Sequence, residues 1–493
     1  MATTQAHLNE SLNPPLLSHI NAAELKPYLP ALTVISFRGP GQAGGVSKAL
    51  EPLVSQLETK INWLALSDIP GTTKADTATQ AELPRQVIAN FSGFSYIKPS
   101  VPSGLFDRHN SVVNSYLWPL LHDRTDLAAF NREAWQGFRL LNEAVANEAL
   151  AASTQSFPTI AWIHDYQLAL VAPHLSAEAG IIPCQFWHVP WPKPESLANA
   201  IVAEELVGAL LSNHLLGFHT TEYATNFLNT VQLVLPAAEV DLLKMQVKHH
   251  GRITNVVAMP LGLDFGYWER LSKSNRPKAA AMPKKYRLAN QFLLGVDRLD
   301  YAKGLLEKLA GLELFLHNNP GWLRRFHFVQ IVQAPNTADT ALLGYQQLVE
   351  SKVKQINERY HLDDWEPIVY INEHLDHAEL SAWYLAADTL VTTPVRDGLN
   401  LIAKEYVACR TDEQGSVILS KTAGCAAELS PGALLVDADN PYQIAEAFSE
   451  ALSMAAEEKR RRMIAMRHVI GWNQLHDWAL AFLHQAVNLN NKA

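Results

Sequence analysis

Val391-Thr-Thr-Pro-Val-Arg-Asp-Gly-Leu-Asn-Leu-Ile-Ala-Lys-Glu-Tyr-Val-Ala-Cys409 is the stretch whose reading decides the fold. With Thr389 and Leu390 it opens as a short apolar run, the pattern of a buried parallel strand. Pro394 stops the strand, Asp397-Gly398 turns the chain, and Asn400–Cys409 reads as a helix with apolar points at Leu401, Tyr406 and Ala408. Strand, glycine turn and helix together aim backbone N–H groups at an anion. Asp397 and Glu405 fall close to the same place. Carboxylates repel phosphate, so these two are better suited to accept hydrogen bonds from hydroxyls. A diphosphate beside hydroxyl-rich rings is a nucleotide sugar. The plainer alternative is a capped helix after an ordinary strand.

Working outward, the same alternation repeats. Beyond residue 285, strands are expected at 291–296, 326–332, 367–371, 388–393, 416–420 and 433–437. Leu305, Leu309, Leu312 and Leu316 form one helical stripe between the first two. Toward the N-terminus, strands are expected at 32–37, 159–163, 183–188, 214–218 and 254–259, with helices at 128–151 and 195–212 among them. Leu261 to about Lys285 is rich in Gly, Pro, Lys and Ala with little periodicity, and is read as a boundary. The expected fold is therefore α/β, with two doubly wound Rossmann-like domains facing across a cleft and ligands beyond the carboxyl ends of the strands. The expected division is an N-terminal extension over 1–30, a first domain over 31–270, a second over 271–473, and a final amphipathic helix over 474–493 carrying Trp478, Leu480, Phe482 and Leu483.

Composition narrows the function classes. The chain has 493 residues, 48% hydrophobic and 18% charged, which suits packed domains. A net charge of −9 gives no general attraction to nucleic acid or to an anionic membrane, and neither is expected as a partner. Cys184, Cys409 and Cys425 are odd in number and unpaired in spacing, which fits a reducing cytoplasm better than a disulfide framework or zinc. The opening MATTQAHLNESLNPP has no signal-peptide pattern, and no apolar run approaches a membrane span.

An anionic substrate then needs local basic groups. Arg298 leaves one expected strand and Lys303 enters the next helix in Val296-Asp-Arg-Leu-Asp-Tyr-Ala-Lys-Gly304, so both can reach one diphosphate and neutralise it as it departs. The alternative is pairing with Asp297 and Asp300. No Asp-x-Asp pair lies in a loop suited to a divalent ion, and no metal or cofactor is expected. Gly39-Pro-Gly-Gln-Ala-Gly44 follows a strand and matches G-x-G-x-x-G, but the nearest acid that would bind a ribose is as far on as Asp68. Arg38, at that strand's end, can hold a phosphate or a surface salt bridge. Asp165 and His188 end two further strands, within Trp162-Ile-His-Asp-Tyr-Gln167 and Phe186-Trp-His-Val-Pro-Trp-Pro192; each is a sugar ligand or a satisfied core residue.

Taken in order, these stretches resemble the trehalose-6-phosphate synthase family of retaining glycosyltransferases over about residues 32–485, most specifically in DRLDYAKG and RDGLNLIAKEY. The resemblance implies the GT-B fold, a final helix that crosses back to the first domain, and metal-independent transfer of glucose from a nucleoside diphosphate glucose (ADP-glucose or UDP-glucose) to a phosphorylated acceptor. It implies Arg298 and Lys303 as the donor-phosphate pair, with Asp397, Gly398, Leu399, Asn400 and Leu401 as the loop around donor glucose and diphosphate. It places Glu405 at the ribose hydroxyls, Gly45 at the diphosphate, His188 and Asp165 near the reacting sugar, and Arg38 and Trp118 on the acceptor side.

The departures from the family lie on the acceptor side. Trehalose-forming members carry a tyrosine where His109 stands, nine residues before Trp118. They also carry a phosphate-binding arginine where Gln333-Ala-Pro-Asn-Thr-Ala-Asp-Thr-Ala-Leu-Leu343 has no basic residue. Losing one charge-assisted contact costs about 1.5–3 kcal/mol. Related glucosylglycerol-phosphate synthases also lack that arginine, so glycerol 3-phosphate is the favoured acceptor, bound by Arg38 and His109, with glucose 6-phosphate next. Outside that reading stand an NAD-type oxidoreductase, a silent regulatory homologue and a relative coupling cyclitols. Homo-oligomerisation is left open.

Overall fold

The computed structural model describes residues 31–40, 50, 54, 61–66, 87–91, 94–99, 101–102, 104–153, 158–333 and 340–490. The expected extension over 1–30, together with Gly44 and Gly45, lies outside them. Two compact units account for the chain: residues 1–188, 192–262 and 475–493, and residues 189–191 and 263–474.

In the first unit, ten strands form one sheet. They are β1 (Ala31–Ser36), β2 (Ile61–Ala65), β3 (Val87–Phe91), β4 (Phe94–Ile97), β5 (Thr159–His164), β6 (Ile181–Phe186), β7 (Leu215–Phe218), β8 (Glu239–Asp241), β9 (Gln246–His249) and β10 (Arg252–Ala258). Their order is β3-β4-β2-β1-β5-β6-β7-β10-β9-β8. Pairing is parallel from β4 through to β10, while β3, β9 and β8 add antiparallel edges. The chain steps outward from β1 to β2 and β4, then returns to β5 on the other side of β1. That return makes a crevice beyond the carboxyl ends of β1 and β5. Ile35, Leu64, Ile163, Leu141 and Val145 pack the sheet against the helix Arg132–Ala152.

The second unit has six parallel strands: β11 (Gln291–Arg298), β12 (Phe326–Gln333), β13 (Ile368–Asn372), β14 (Thr389–Thr392), β15 (Ser416–Ser420) and β16 (Leu434–Val436). Their order is β13-β12-β11-β14-β15-β16, so the return falls between β11 and β14. The leucine stripe of the helix Leu305–Asn318 is buried against Phe328, Val332, Val391 and Ile418.

The boundary region differs from the sequence reading. The boundary expected at residue 270 falls at Gly262/Leu263, where Leu263 N donates to Asn473 O at 3.1 Å. The aperiodic stretch over 261–285 holds two helices, Phe265–Ser274, capped by Asp264, and Arg276–Lys285. Pro277, Pro283 and a buried face of only Ala279 and Met282 hide the second from a periodicity argument. The helix Leu475–Asn490 belongs to the first unit, as the resemblance implied for the final helix; there Trp478 and Phe482 pack on Trp162 and Phe186. No helix among the described residues is long and apolar enough to cross a membrane.

Candidate active site

At the crevice of the second unit, the chain leaves β14 through Thr393–Asn400 and enters the helix Leu401–Cys409. Asn400 is the cap. Its Oδ1 accepts from Ala403 N at 3.1 Å, and its amide donates to Thr392 Oγ1 at 2.9 Å and to Asp397 Oδ2 at 3.2 Å. Asn400 holds φ 76°, a left-handed conformation that a short polar side chain tolerates. The loop is paired along its backbone to the next turn: Asp397 N to Thr422 O at 3.2 Å, Gly424 N to Asp397 O at 3.1 Å and Cys425 N to Leu399 O at 2.8 Å. Gly424 is required here, because a Cβ would lie 1.9 Å from Gly398 O.

The neighbouring strand supplies the cations. Lys303 Nζ lies 2.7 Å from Asp397 Oδ2, and the two side chains are only 14% and 15% exposed.

 Arg298, by contrast, is 56% exposed and makes a longer contact, 3.4 Å, to Asp300 Oδ2. The expected pairing alternative thus holds in part for Arg298, while Lys303 pairs with neither Asp297 nor Asp300. Asp300 Oδ1 instead caps the turn Tyr301–Lys303 by accepting from Ala302 N, and Asp297 is buried with Lys308 Nζ at 2.7 Å. Gly304 lets the two loops meet: its φ is 64°, and a Cβ would lie 2.1 Å from Thr393 O. Leu399 is buried and Leu401 half-buried beside them. Glu405, half-buried on the first turns of the helix, accepts from Tyr384 Oη at 3.1 Å. Burial raises the Tyr384 hydroxyl well above its ordinary value, and Glu405 beside it adds to the effect, so the phenol stays a donor.

The crevice of the first unit is built differently. Arg38 follows β1 and is exposed, while Gly39 is buried so tightly that a Cβ would lie 2.7 Å from the Tyr96 ring. Asp165 follows β5 with φ 70° and ψ 173°, a region that is essentially glycine's and costs about 1–3 kcal/mol for another residue. Its Oδ1 accepts from His188 N at 3.1 Å. His188, 9% exposed after β6, packs among His164, His219, Phe186 and Trp478. His188 Nε2 lies 3.1 Å from His164 Nδ1. Burial pushes the His188 pKa well below the ordinary imidazole value, and the neighbouring His219 lowers it further; His164 behaves likewise through burial and then His188. Both rings are therefore neutral at pH 7. Trp118, half-buried, follows a π-helical turn over Val113–Leu117 and packs on His122 and Tyr166.

His109, expected on the acceptor side, is enclosed. It is 0% exposed, stacked between Phe37 and Phe138, with Nε2 2.8 Å from Gln167 O. A carbonyl only accepts, so Nε2 carries the proton. Burial lowers its pKa to about 4, which leaves no charge for a phosphate at neutral pH. Sequence reasoning gave no role to Thr422–Cys425, the turn that pairs with the loop Asp397–Asn400. The stretch Ala423-Gly-Cys-Ala-Ala-Glu-Leu429 was the available signal.

Residues 36–488 match the model of glycosyltransferase family 20. The 56 kDa subunit of a UDP-forming alpha,alpha-trehalose-phosphate synthase from Saccharomyces cerevisiae is 31% identical over 393 residues, 78% of this chain and 78% of that protein. Its counterpart from Kluyveromyces lactis is 30% identical over 457 residues, 91% of each. Among solved structures, the Burkholderia xenovorans enzyme in complex with glucose-6-phosphate superposes with TM-score 0.84 at 27% identity, covering 93% of this chain and 100% of that one. The E. coli enzyme bound with UDP-2-fluoro glucose gives TM-score 0.84 at 27% identity, covering 93% and 99%.

These relatives overturn the preference for glycerol 3-phosphate. They are trehalose-phosphate synthases by name, and one of them holds glucose-6-phosphate. The preference rested on a missing arginine and on His109. Residues 334–339, where that arginine would stand, lie outside the described residues, and His109 is a neutral core group. The fold is GT-B, with two sheets dominated by parallel strands. The chain belongs to glycosyltransferase family 20 and is a retaining glycosyltransferase that uses a nucleotide sugar.

Proposed function

We propose that the protein transfers glucose from UDP-glucose to glucose 6-phosphate with retention of configuration, forming trehalose 6-phosphate. The observation that carries the donor half is the Lys303–Asp397–Asn400 arrangement between β11 and β14. A diphosphate arriving there exchanges a carboxylate for a phosphate as the partner of Lys303, while Asp397 is released to accept from a sugar hydroxyl. Arg298, with its exposed guanidinium, supplies the second positive charge. Glu405 accepts from the ribose hydroxyls. UDP rather than ADP, and glucose 6-phosphate rather than another acceptor, are supported by the names of the relatives.

In the reaction, the anomeric oxygen of the acceptor bonds to donor C1 on the face from which the diphosphate leaves. The bond from C1 to the diphosphate oxygen breaks, and that oxygen leaves with UDP and takes the acceptor proton. Lys303 and Arg298 stabilise the charge that develops there, which asks nothing of a metal. On the first unit, neutral His188 and Asp165 suit sugar hydroxyls, and Arg38 suits the acceptor phosphate.

A donor-by-acceptor screen with mass detection, followed by NMR of the product, tests the reading. The expected product is an α,α-linked hexose disaccharide monophosphate from UDP-glucose and glucose 6-phosphate, formed equally in the presence of a chelator. Turnover of UDP-glucose with no disaccharide phosphate among the products contradicts it.

A further inference from the structure

Lys404 and Glu428 have no part in the chemistry above, yet Lys404 lies in the RDGLNLIAKEY stretch and Glu428 in Ala423–Leu429, two stretches that pair at the loop Asp397–Asn400. The Lys404 side chain is 0% exposed and that of Glu428 is 13% exposed. Lys404 Nζ lies 3.1 Å and 3.0 Å from the two Glu428 carboxylate oxygens, and Asn473 Nδ2 donates to Glu428 Oε1 at 2.8 Å. Desolvating such a pair is costly, and well-packed apolar residues often serve stability as well or better. Stability alone is therefore a poor account of it.

What the pair joins is more telling. Lys404 stands on the helix Leu401–Cys409, directly after the loop Asp397–Asn400. Glu428 stands on the helix Ala426–Leu429, directly after the turn Thr422–Cys425. These are the two backbone segments that pair through Asp397, Leu399, Thr422, Gly424 and Cys425. At Gly424 they approach too closely for any side chain. The ion pair thus fixes, just beyond the pairing, the spacing on which the pairing depends. Asn473 ties the same carboxylate to the segment that also receives Leu263 N.

We propose that Glu428, held by Lys404 and Asn473, is a positioning residue that sets the Thr422–Cys425 turn against the loop Asp397–Asn400 in the geometry that receives a nucleoside diphosphate. The inference rests on the reading of that loop as the donor site. Glu428 touches no substrate; it acts through the backbone of Gly398 and Leu399. Glu428→Gln keeps the shape and the contact with Asn473 but removes the charge that orders Lys404. Lys404→Met/Glu428→Leu replaces the pair with apolar bulk.

The test is calorimetry with UDP and with ADP on wild type and both variants, beside melting temperatures and separate KM values for donor and acceptor. The expected result is nucleoside diphosphate binding weakened about tenfold in both variants, the effect of one displaced charge-assisted hydrogen bond. The donor KM rises in step and the acceptor KM does not, and the double variant stays weak in binding even where its melting temperature is restored. Wild-type affinity in Glu428→Gln, or a double variant that regains stability and affinity together, overturns the proposal and leaves a structural ion pair. If wild type itself binds neither nucleotide, the donor-site reading fails, and this inference falls with it.

Discussion

The crevices at β11/β14 and at β1/β5 arise from the same topological return, yet they are furnished with opposite chemistry. The first holds charges that answer one another: Lys303 with Asp397, Arg298 with Asp300, and Lys404 with Glu428. The second holds rings. His188, His164 and His219 pack with Phe186 and Trp478, and burial keeps His188 and His164 uncharged. Equal topology therefore fixes where a ligand goes and not which one. A diphosphate matches the first set, whose cations already have exchangeable carboxylate partners. A sugar ring matches the second, where neutral His188 can hydrogen-bond hydroxyls, and Arg38 after β1 suits a phosphate carried by that sugar.

The sharpest way to break this contrast is Lys303→Ala. It removes a cation and leaves Asp397 facing the phosphate without a counter-charge. Turnover is expected to fall by about 10²–10³. Steady-state kinetics with saturating donor checks it, and near-wild-type turnover would remove Lys303 from the chemistry.

A smaller effect is expected at Glu405, which already accepts from Tyr384. Glu405→Gln should weaken nucleoside diphosphate binding by about tenfold and leave acceptor binding alone, because one charged acceptor becomes a neutral amide. Unchanged affinity by calorimetry would make Glu405 a support for Tyr384 alone.

The third prediction concerns the ring-lined unit and reads stability. The His109 pKa is depressed to about 4 from an ordinary 6.5. The unfolded chain then binds a proton that the folded protein refuses. The stabilising contribution is full above pH 6.5 and is lost as pH falls toward 4, at about 1.4 kcal/mol per pH unit. His164 and His188 act in the same direction. His109→Phe keeps the stack with Phe37 and Phe138 and should flatten this slope in urea melts between pH 6.5 and 5. An unaltered slope would show that His109 is protonated in the folded protein.

The two units also differ in how much of them could be read from sequence. Every strand of the second unit ends within two residues of its expected position, because each is an apolar run closed by turn residues. In the first unit, β2, β3, β4, β8 and β9 went unread; they are three to five residues long, and polar residues such as Asn62 and Ser95 interrupt their apolar character. The loop Asp397–Asn400 was legible because its residues are contiguous. Asn400 as the cap is not legible in the sequence, because it depends on a left-handed backbone that no local pattern announces. His109 was misjudged because Phe37 and Phe138, which enclose it, come from distant parts of the chain. The backbone of Asp165 leaves no trace in sequence at all.

The division of labour between the two crevices is tested most directly by calorimetry on three proteins, wild type, Lys303→Ala and Arg38→Ala, each titrated with UDP and, separately, with glucose 6-phosphate in the presence of UDP. The account predicts that Lys303→Ala loses UDP affinity, and that Arg38→Ala binds UDP as wild type does but loses glucose 6-phosphate. Loss of UDP affinity in Arg38→Ala with retention in Lys303→Ala would contradict it.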